Sequence, residues 1–166
     1  MNDIRVSLDE VLRHFLRKQS HKRELQGIDV EHYARPEDLI RSIPEYECLA
    51  ERILRCNWSF CPIDKDLFAS LRAVHSPTWS RLSGGALKIS DIAASLMNYR
   101  NEFRNTVATV LGLQELIING LFDWRIVIEH HKQDYTILDG VSRAIAMARH
   151  FAENGFESFY AYVGKF

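Results

Sequence analysis

Long apolar runs are missing from this 166-residue sequence, and no segment reaches the roughly 20 apolar residues that span a bilayer. The first ten residues, MNDIRVSLDE, carry acids and lack the apolar core of a secretory signal. We therefore expect a cytoplasmic protein that does not enter a membrane.

Cysteine is scarce. The three cysteines, Cys48, Cys56 and Cys61, are an odd number and contain no CxxC spacing. This pattern favours neither a disulfide framework nor a zinc site. We expect buried free thiols instead.

An excess of positive charge is also missing. The chain has 21 Lys and Arg against 22 Asp and Glu, and neither half is basic. Contacts to a nucleic-acid backbone need such an excess, so nucleic-acid binding is only a secondary hypothesis. The content of 46% hydrophobic and 26% charged residues is typical of a globular protein.

Helical patterns fill the first half of the chain. In SLDEVLRHFLRK, Ser7 is a predicted N-cap with Glu10 three residues later. Further helices are predicted where proline stands near a first turn beside acidic residues, as in RPEDLIRSI, PEYECLAERILRC and PIDKDLFASLRAVH. Residues 1–78 are therefore predicted to form a helical N-terminal region.

After the Ser-, Pro- and Gly-rich connector SPTWSRLSGG, the pattern changes to a mixture of strands and helices. We predict a strand in ALKISDI, a helix that ends at Asn119-Gly120, a hairpin made by WRIVIE and YTIL, a helix from Val141 to about Asn154, and a last strand in ESFYAYVG. Residues 79–166 thus form a predicted α+β domain with a small mixed sheet.

The junction YTILDGVSRA, where a predicted strand runs into a helix, is the candidate site. The start of a helix offers free N–H groups and a partial positive charge, which together bind anions such as phosphate. Gly140 permits a sharp turn, Ser142 adds a hydroxyl donor, and Arg143 adds a planar set of donors suited to phosphate oxygens.

Arg143 has the unfavourable sign for the first turn of a helix. A bound anion would explain it, and so would an ion pair with Asp139. A third account has Asp139 as an ordinary N-cap with Arg143 solvated. The local pattern leaves these alternatives open.

The order of the segments in residues 86–163 resembles the ParB/sulfiredoxin-like nucleotide-binding family. In that family a strand precedes an N-P-R-x-x-F segment, and a helix ending in Gly, a hairpin and a Gly-x-x-Arg-x-x-Ala motif follow. Here these places are held by ALKISDI, NYRNEF, QELIING, WRIVIE, YTILDG and GVSRAIA. The resemblance implies a small mixed-sheet fold with a phosphate-binding corner.

The sequence departs from the family at two positions of this motif. Val141 stands where sulfiredoxins have their reactive Cys, so sulfiredoxin chemistry is disfavoured. Ser142 stands where many members have His. The partition proteins continue into a helix-turn-helix reader, which we do not expect in these 166 residues. A version of the motif without the Cys is similar to that of free-serine kinases.

The resemblance implies that the corner holds the phosphates of ATP or another nucleoside triphosphate. The residues that it assigns to this cradle are Gly140, Val141, Ser142 and Arg143, with Arg100 as a second contact. Phosphoryl transfer to a small hydroxyl compound depends mainly on positioning of the two reactants and neutralisation of the phosphate charge. A Mg²⁺ ion held by Asp139 would contribute to the latter.

Two carboxylates are candidates for catalysis. Asp139 is the candidate for metal binding or for accepting the proton of the hydroxyl, and Glu102 is a weaker candidate for a second carboxylate. The resulting hypothesis is an NTP-dependent phosphotransferase or NTPase.

Two alternatives stay open. One is a non-catalytic nucleotide-binding module whose N-terminal helices engage a protein partner or a second copy of the chain. The other is a DNA-associated protein or nuclease, as some relatives of the family are described, although the balanced charge speaks against it.

Overall fold

A mixed six-stranded sheet forms the centre of the molecule, and the computed structural model describes residues 3–166. The described strands are β1 (Ile4–Arg5), β2 (Asn57–Ile63), β3 (Arg72–Ala73), β4 (Val127–His131), β5 (Asp134–Asp139) and β6 (Phe159–Lys165). The described helices are α1 (Leu8–Lys18), α2 (Pro36–Ser42), α3 (Glu47–Arg55), α4 (Lys65–Ser70), α5 (Pro77–Leu82), α6 (Ile89–Ser95), α7 (Arg104–Ile118) and α8 (Val141–Asn154). The predicted α+β class is confirmed.

The strands lie in the order β1-β2-β6-β4-β5-β3. β4 pairs antiparallel with β5 as a hairpin and parallel with β6, while β2 pairs antiparallel with β6. Val127, the first residue of β4, is in register with Asp139 of β5 and with Tyr162 of β6. The end of β5 therefore lies beside the start of β4 and level with the middle of β6, whose first residues extend further towards that end of the sheet.

Helices cover both faces of this sheet. On one face α6, α7 and α8 bury a core that includes Ile92, Val110, Ile145 and Met147. On the other face α1, α2 and α3 pack on Trp58, Val127, Leu138 and Tyr162 from the strands. Each fully buried aliphatic or aromatic side chain contributes about 1.5–3 kcal/mol to folding.

The prediction that residues 1–78 are helical misses three strands: β1, β3 and the longer β2. The side chains of β2 alternate between the two cores, with Trp58 on one and Cys61 and Ile63 on the other. Pro62 obscured the pattern, but it lies past the part of β2 that pairs with β1, at an edge position where proline is tolerated. The sheet thus takes strands from both 1–78 and 79–166.

The predicted strand in ALKISDI is wrong. Residues Ile89–Ser95 form α6, because Ile89, Ile92, Ala93 and Leu96 are buried at helical rather than alternating spacing. The connector before it contains a short helix, α5. The hairpin, the helices α7 and α8, and the last strand form, although the first strand of the hairpin spans Val127–His131 and not the predicted WRIVIE at 124–129.

Among residues 3–166, no helix is long and apolar enough to cross a membrane.

Candidate functional site

The chain turns from strand to helix at Gly140, where β5 ends and α8 begins. Gly140 has a φ of +93°, in the left-handed region that favours glycine. A Cβ atom at this position would lie 2.7 Å from Cγ2 of Ile126 and 3.1 Å from Nε of Arg143. Both the backbone conformation and the packing therefore require glycine here.

Arg143 forms an ion pair with Asp139 across this corner. Its Nη2 donates to Oδ2 of Asp139 at 2.5 Å, and its Nη1 donates to the backbone carbonyl of Arg125. Only 10% of the Arg143 side chain and 12% of the Asp139 side chain are exposed. Of the accounts open from the sequence, the ion pair with Asp139 is therefore the one present, and the guanidinium is largely occupied by the protein.

Burial raises the pKa of Asp139 above its ordinary value, while Arg143 and the N–H of Gly140 oppose that rise. A carboxylate with a raised pKa takes up a proton more readily. Asp139 is thus chemically suited to accept the proton of a hydroxyl that reaches it.

A hydrogen-bonded chain connects the corner to the N-terminal helices. Tyr46 donates through its hydroxyl to Oε1 of Gln19 at 2.6 Å, and Nε2 of Gln19 lies 3.4 Å from Oδ1 of Asp139. Gln19 is the C-cap of α1. The helices of 1–78 therefore contribute side chains to the corner.

An open cleft of about 620 Å³ lies in front of the start of α8, and we call it the α8 cleft. Asp139, Gly140, Val141, Ser142 and Arg143 form one side of it. The facing residues come from α1, the segment after it, the turn before α3, α7 and the segment before β4. They include Phe15, Lys18, His21, Tyr46, Leu113, Leu121 and Asp123.

The first turn of α8 faces this cleft and carries no acid of its own, although Asp139 lies immediately before it. Among the described residues it has no side-chain N-cap hydrogen bond and no acid in its first turn. The free N–H groups of such a turn bind anions. Val141 is buried, so only its backbone can serve a ligand, whereas Ser142 is partly exposed.

Lys18 and Asp123 bring opposite charges to the wall of the cleft. Lys18 Nζ lies 2.6 Å from Asp123, which also accepts a hydrogen bond from Arg125 Nε at 2.9 Å. Although burial opposes it, hydrogen bonds from Arg125 and Lys18 hold the pKa of Asp123 well below its ordinary value. Asp123 is therefore a stable carboxylate.

Two predicted site residues lie elsewhere. Glu102 pairs with Arg81 at 2.7 Å, and Arg100 lines a separate small cavity with Asn101 and Arg104. Neither residue lines the α8 cleft. The structure therefore does not bring them together with Asp139.

The first half of the chain contributes four polar residues to the cleft that were not singled out from the sequence for this site, namely Lys18, Gln19, His21 and Tyr46. They lie more than 90 positions before Asp139 in the chain. No local motif marks them, because their placement depends on how α1 packs on the sheet.

The carboxylates of the cleft do not form a metal site by themselves. In the described part of the chain, no group of three or more His, Cys, Asp or Glu residues is arranged to hold a metal ion. Asp139 and Asp123 are the acids of the cleft, and each is already paired with a cation. This donor set does not fit a resident Mg²⁺ ion.

Comparisons of the chain with protein-family models, with curated proteins and with solved structures found no match. The resemblance to the ParB/sulfiredoxin-like family accordingly stays a prediction.

Proposed function

We propose that this protein binds a nucleoside triphosphate, with the phosphates seated on the first turn of α8. The observation that carries the proposal is the open cleft at the uncapped start of this helix. A first turn without an acid, facing a cleft large enough for a ligand, is a favourable place for a polyphosphate when the neighbouring Asp139 is neutralised by Arg143.

The phosphate contacts are assigned to the backbone N–H groups of Val141, Ser142 and Arg143 and to the hydroxyl of Ser142. Lys18 and His21 on the facing side supply further donors. Arg143 has a different role from the one that its sequence suggested. Since its guanidinium is bound to Asp139 and to the Arg125 carbonyl, it fixes the corner rather than clamping the phosphate.

The proposed reaction is phosphoryl transfer to a small hydroxyl compound, or hydrolysis of the nucleotide. Asp139 would accept the proton of the attacking hydroxyl. Oδ2 of Asp139 is held by Arg143, whereas Oδ1 makes a long contact of 3.4 Å with Gln19, so Oδ1 is the oxygen assigned to the acceptor. Mg²⁺ belongs in this proposal to the substrate, as the counter-ion of the triphosphate, and no step is assigned to a protein-bound metal.

A second candidate is a nucleotide-binding module without catalysis. The internal pairing of Asp139 with Arg143 favours it, because both groups are neutralised within the protein. In either case we keep the ParB/sulfiredoxin-like relationship and the cytoplasmic location as predictions. The charge of −1 at pH 7 continues to disfavour the DNA-associated alternative.

Calorimetric titration with ATP, CTP, GTP and UTP in Mg²⁺ tests the binding proposal. The sharpest variant is Ser142→Asp, which places a carboxylate in the first turn of α8. The helix tolerates an acid there, but the phosphate is repelled, so we expect binding to be lost while the fold is kept. Ser142→Ala is the matched control and should weaken binding only a few-fold, because it removes one donor.

Detection of nucleoside diphosphate separates the two candidates. The protein is incubated with the tightest-binding nucleotide, Mg²⁺ and a panel of small hydroxyl compounds that begins with serine. A phosphotransferase forms diphosphate only with its acceptor, an NTPase forms it with nucleotide and Mg²⁺ alone, and either should lose this activity in Asp139→Asn. Tight binding without diphosphate supports the non-catalytic module, and equal binding by Ser142→Asp and the natural chain contradicts both candidates.

A further inference from the structure

A second cavity, of about 580 Å³, shares a wall with the α8 cleft. Five of its ten lining residues are aromatic, namely Phe60, Phe122, Trp124, Phe159 and Tyr160, and we call it the aromatic cavity. Its volume and its mixture of rings with a few polar groups match those of small-molecule sites.

The side chain of Tyr160 is not covered by the helices and is exposed to solvent. It is two residues from Tyr162 and therefore on the same face of β6, yet 43% of Tyr160 is exposed and only 3% of Tyr162. Phe60 of β2 stacks beside it, with ring centroids 5.1 Å apart and planes inclined by 25°. This pair offers an accessible aromatic surface to a planar ligand.

Polar groups at the rim complement such a ligand. Glu157 and Ser158 are exposed at the cavity, and within residues 3–166 neither side chain is engaged in an ion pair or hydrogen bond. A carboxylate and a hydroxyl oxygen accept the N–H groups at the edge of a nitrogen heterocycle. The lining therefore suits a nucleobase better than a purely apolar molecule.

The position of the aromatic cavity connects it to the α8 cleft. Leu121, Phe122 and Asp123 line both spaces. Both spaces also lie at the end of the sheet where Val127 is in register with Asp139 on one side and with Tyr162 on the other. β5 and β6 are two strand spacings apart there, about 10 Å. Tyr160 lies two residues before Tyr162 on β6, so it is about 12 Å from Asp139, a distance that a ribose and its phosphates can bridge.

We propose that the aromatic cavity holds the base of the nucleotide whose phosphates lie on α8. This inference rests on the proposed function and extends it by assigning the base to the Phe60–Tyr160 surface. The ligand would cross the Leu121–Asp123 segment, with its base on one side and its phosphates on the other.

The experiment compares three probes by calorimetry: the tightest-binding of the four nucleoside triphosphates, the matching nucleoside, and inorganic tripolyphosphate. We expect the nucleoside triphosphate to bind at least about tenfold more tightly than tripolyphosphate, because stacking of a base on an aromatic side chain adds affinity. Tyr160→Leu should weaken the nucleotide about tenfold and leave tripolyphosphate unchanged. Tyr160→Phe, which keeps the ring, should bind like the natural chain.

The possible failures are distinct. If the natural chain binds tripolyphosphate as tightly as every nucleotide, the base site is wrong while the phosphate site stands, and this comparison needs no variant. The base site is equally wrong if Tyr160→Leu retains the full affinity for the nucleotide. If no probe binds, the proposed function and this inference fail together.

Discussion

The side chain of Gln19 reaches the carboxylate of Asp139, with Nε2 3.4 Å from Oδ1, although 120 positions separate the two residues. The C-cap of α1 thereby meets the end of β5. Because Tyr46 orients the Gln19 amide, the N-terminal helices take part in shaping the candidate site. The N-terminal helices are therefore part of the candidate site.

Loss of Arg143 should destabilise the fold. Arg143→Ala leaves the buried carboxylate of Asp139 without its cation, at a cost of about 3 kcal/mol in the free energy of unfolding. Urea unfolding measures this change. In the double variant Asp139→Asn with Arg143→Ala the buried charge is gone, so much of the stability should return. A single variant as stable as the natural chain would contradict the ion pair.

Gly140→Ala should cost about 2 kcal/mol or more, because the new Cβ would meet Ile126 at 2.7 Å in a left-handed backbone conformation. Gly120→Ala is the matched control. Gly120 has a φ of +68° but nothing within 4 Å of its Cβ position, so it should cost only about 1 kcal/mol of backbone strain. Equal losses in thermal or urea unfolding would refute the close packing at Gly140.

Arg143 and Gly140 also show how far the site could be predicted from the sequence. The hairpin, α8 and the turn at Gly140 follow from local patterns of alternation, helical spacing and glycine. The ion pair was one of three accounts left open, because a sequence does not say which neighbours bury Asp139 and Arg143. The contribution of Gln19 and Tyr46 depends on packing between distant elements and had no local signal.

The errors in secondary structure have a similar origin. ALKISDI contains both an alternating and a helical arrangement of apolar residues, and packing against α8 selects the helix. NWSFCPI was overlooked because the pattern predicts a helix in PIDKDLFASLRAVH that begins at Pro62, whereas Pro62 lies in β2 and α4 spans only Lys65–Ser70. The tolerance of proline there depends on the short length of β1. Tertiary context decided both segments.

His14 should make the protein sensitive to acid. It is only 1% exposed and its Nε2 has no hydrogen-bond partner in the described residues. Burial lowers the pKa of His14 to about 3, and the positive charge of Arg143 is the next largest cause. Arg125 and Lys18 also lower this pKa, whereas Asp123 opposes the change. The unfolded chain takes up this proton near pH 6.5, so stability falls as the pH drops from about 6.5 towards 3.

The contribution of His14 is isolated by His14→Phe, which cannot take up a proton. Between pH 6.5 and 5 the natural chain should lose up to about 2 kcal/mol of unfolding free energy relative to this variant. His32→Phe is the control, since 86% of the His32 side chain is exposed. If natural chain and His14→Phe lose stability in parallel over this range, His14 is not the sensitive group.

The three thiols should differ in reactivity. Cys48 is exposed, whereas Cys56 and Cys61 are buried, and burial raises the pKa of each of these two to about 11. With iodoacetamide at pH 8, one thiol should react quickly and two only after unfolding. Mass spectrometry of the labelled peptides identifies them, and rapid labelling of Cys56 or Cys61 in the folded protein would contradict their burial. Of the free thiols predicted to be buried, Cys48 is the exception.

Amide NMR of the ¹⁵N-labelled protein during a titration with Mg²⁺ and nucleoside triphosphate tests the central proposal most directly. We predict saturable shifts of the Val141, Ser142 and Arg143 backbone N–H signals, which Ser142→Asp abolishes, because these groups would donate to the phosphates. Unchanged signals from these three residues at saturating concentrations of all four nucleotides would contradict the proposed phosphate site.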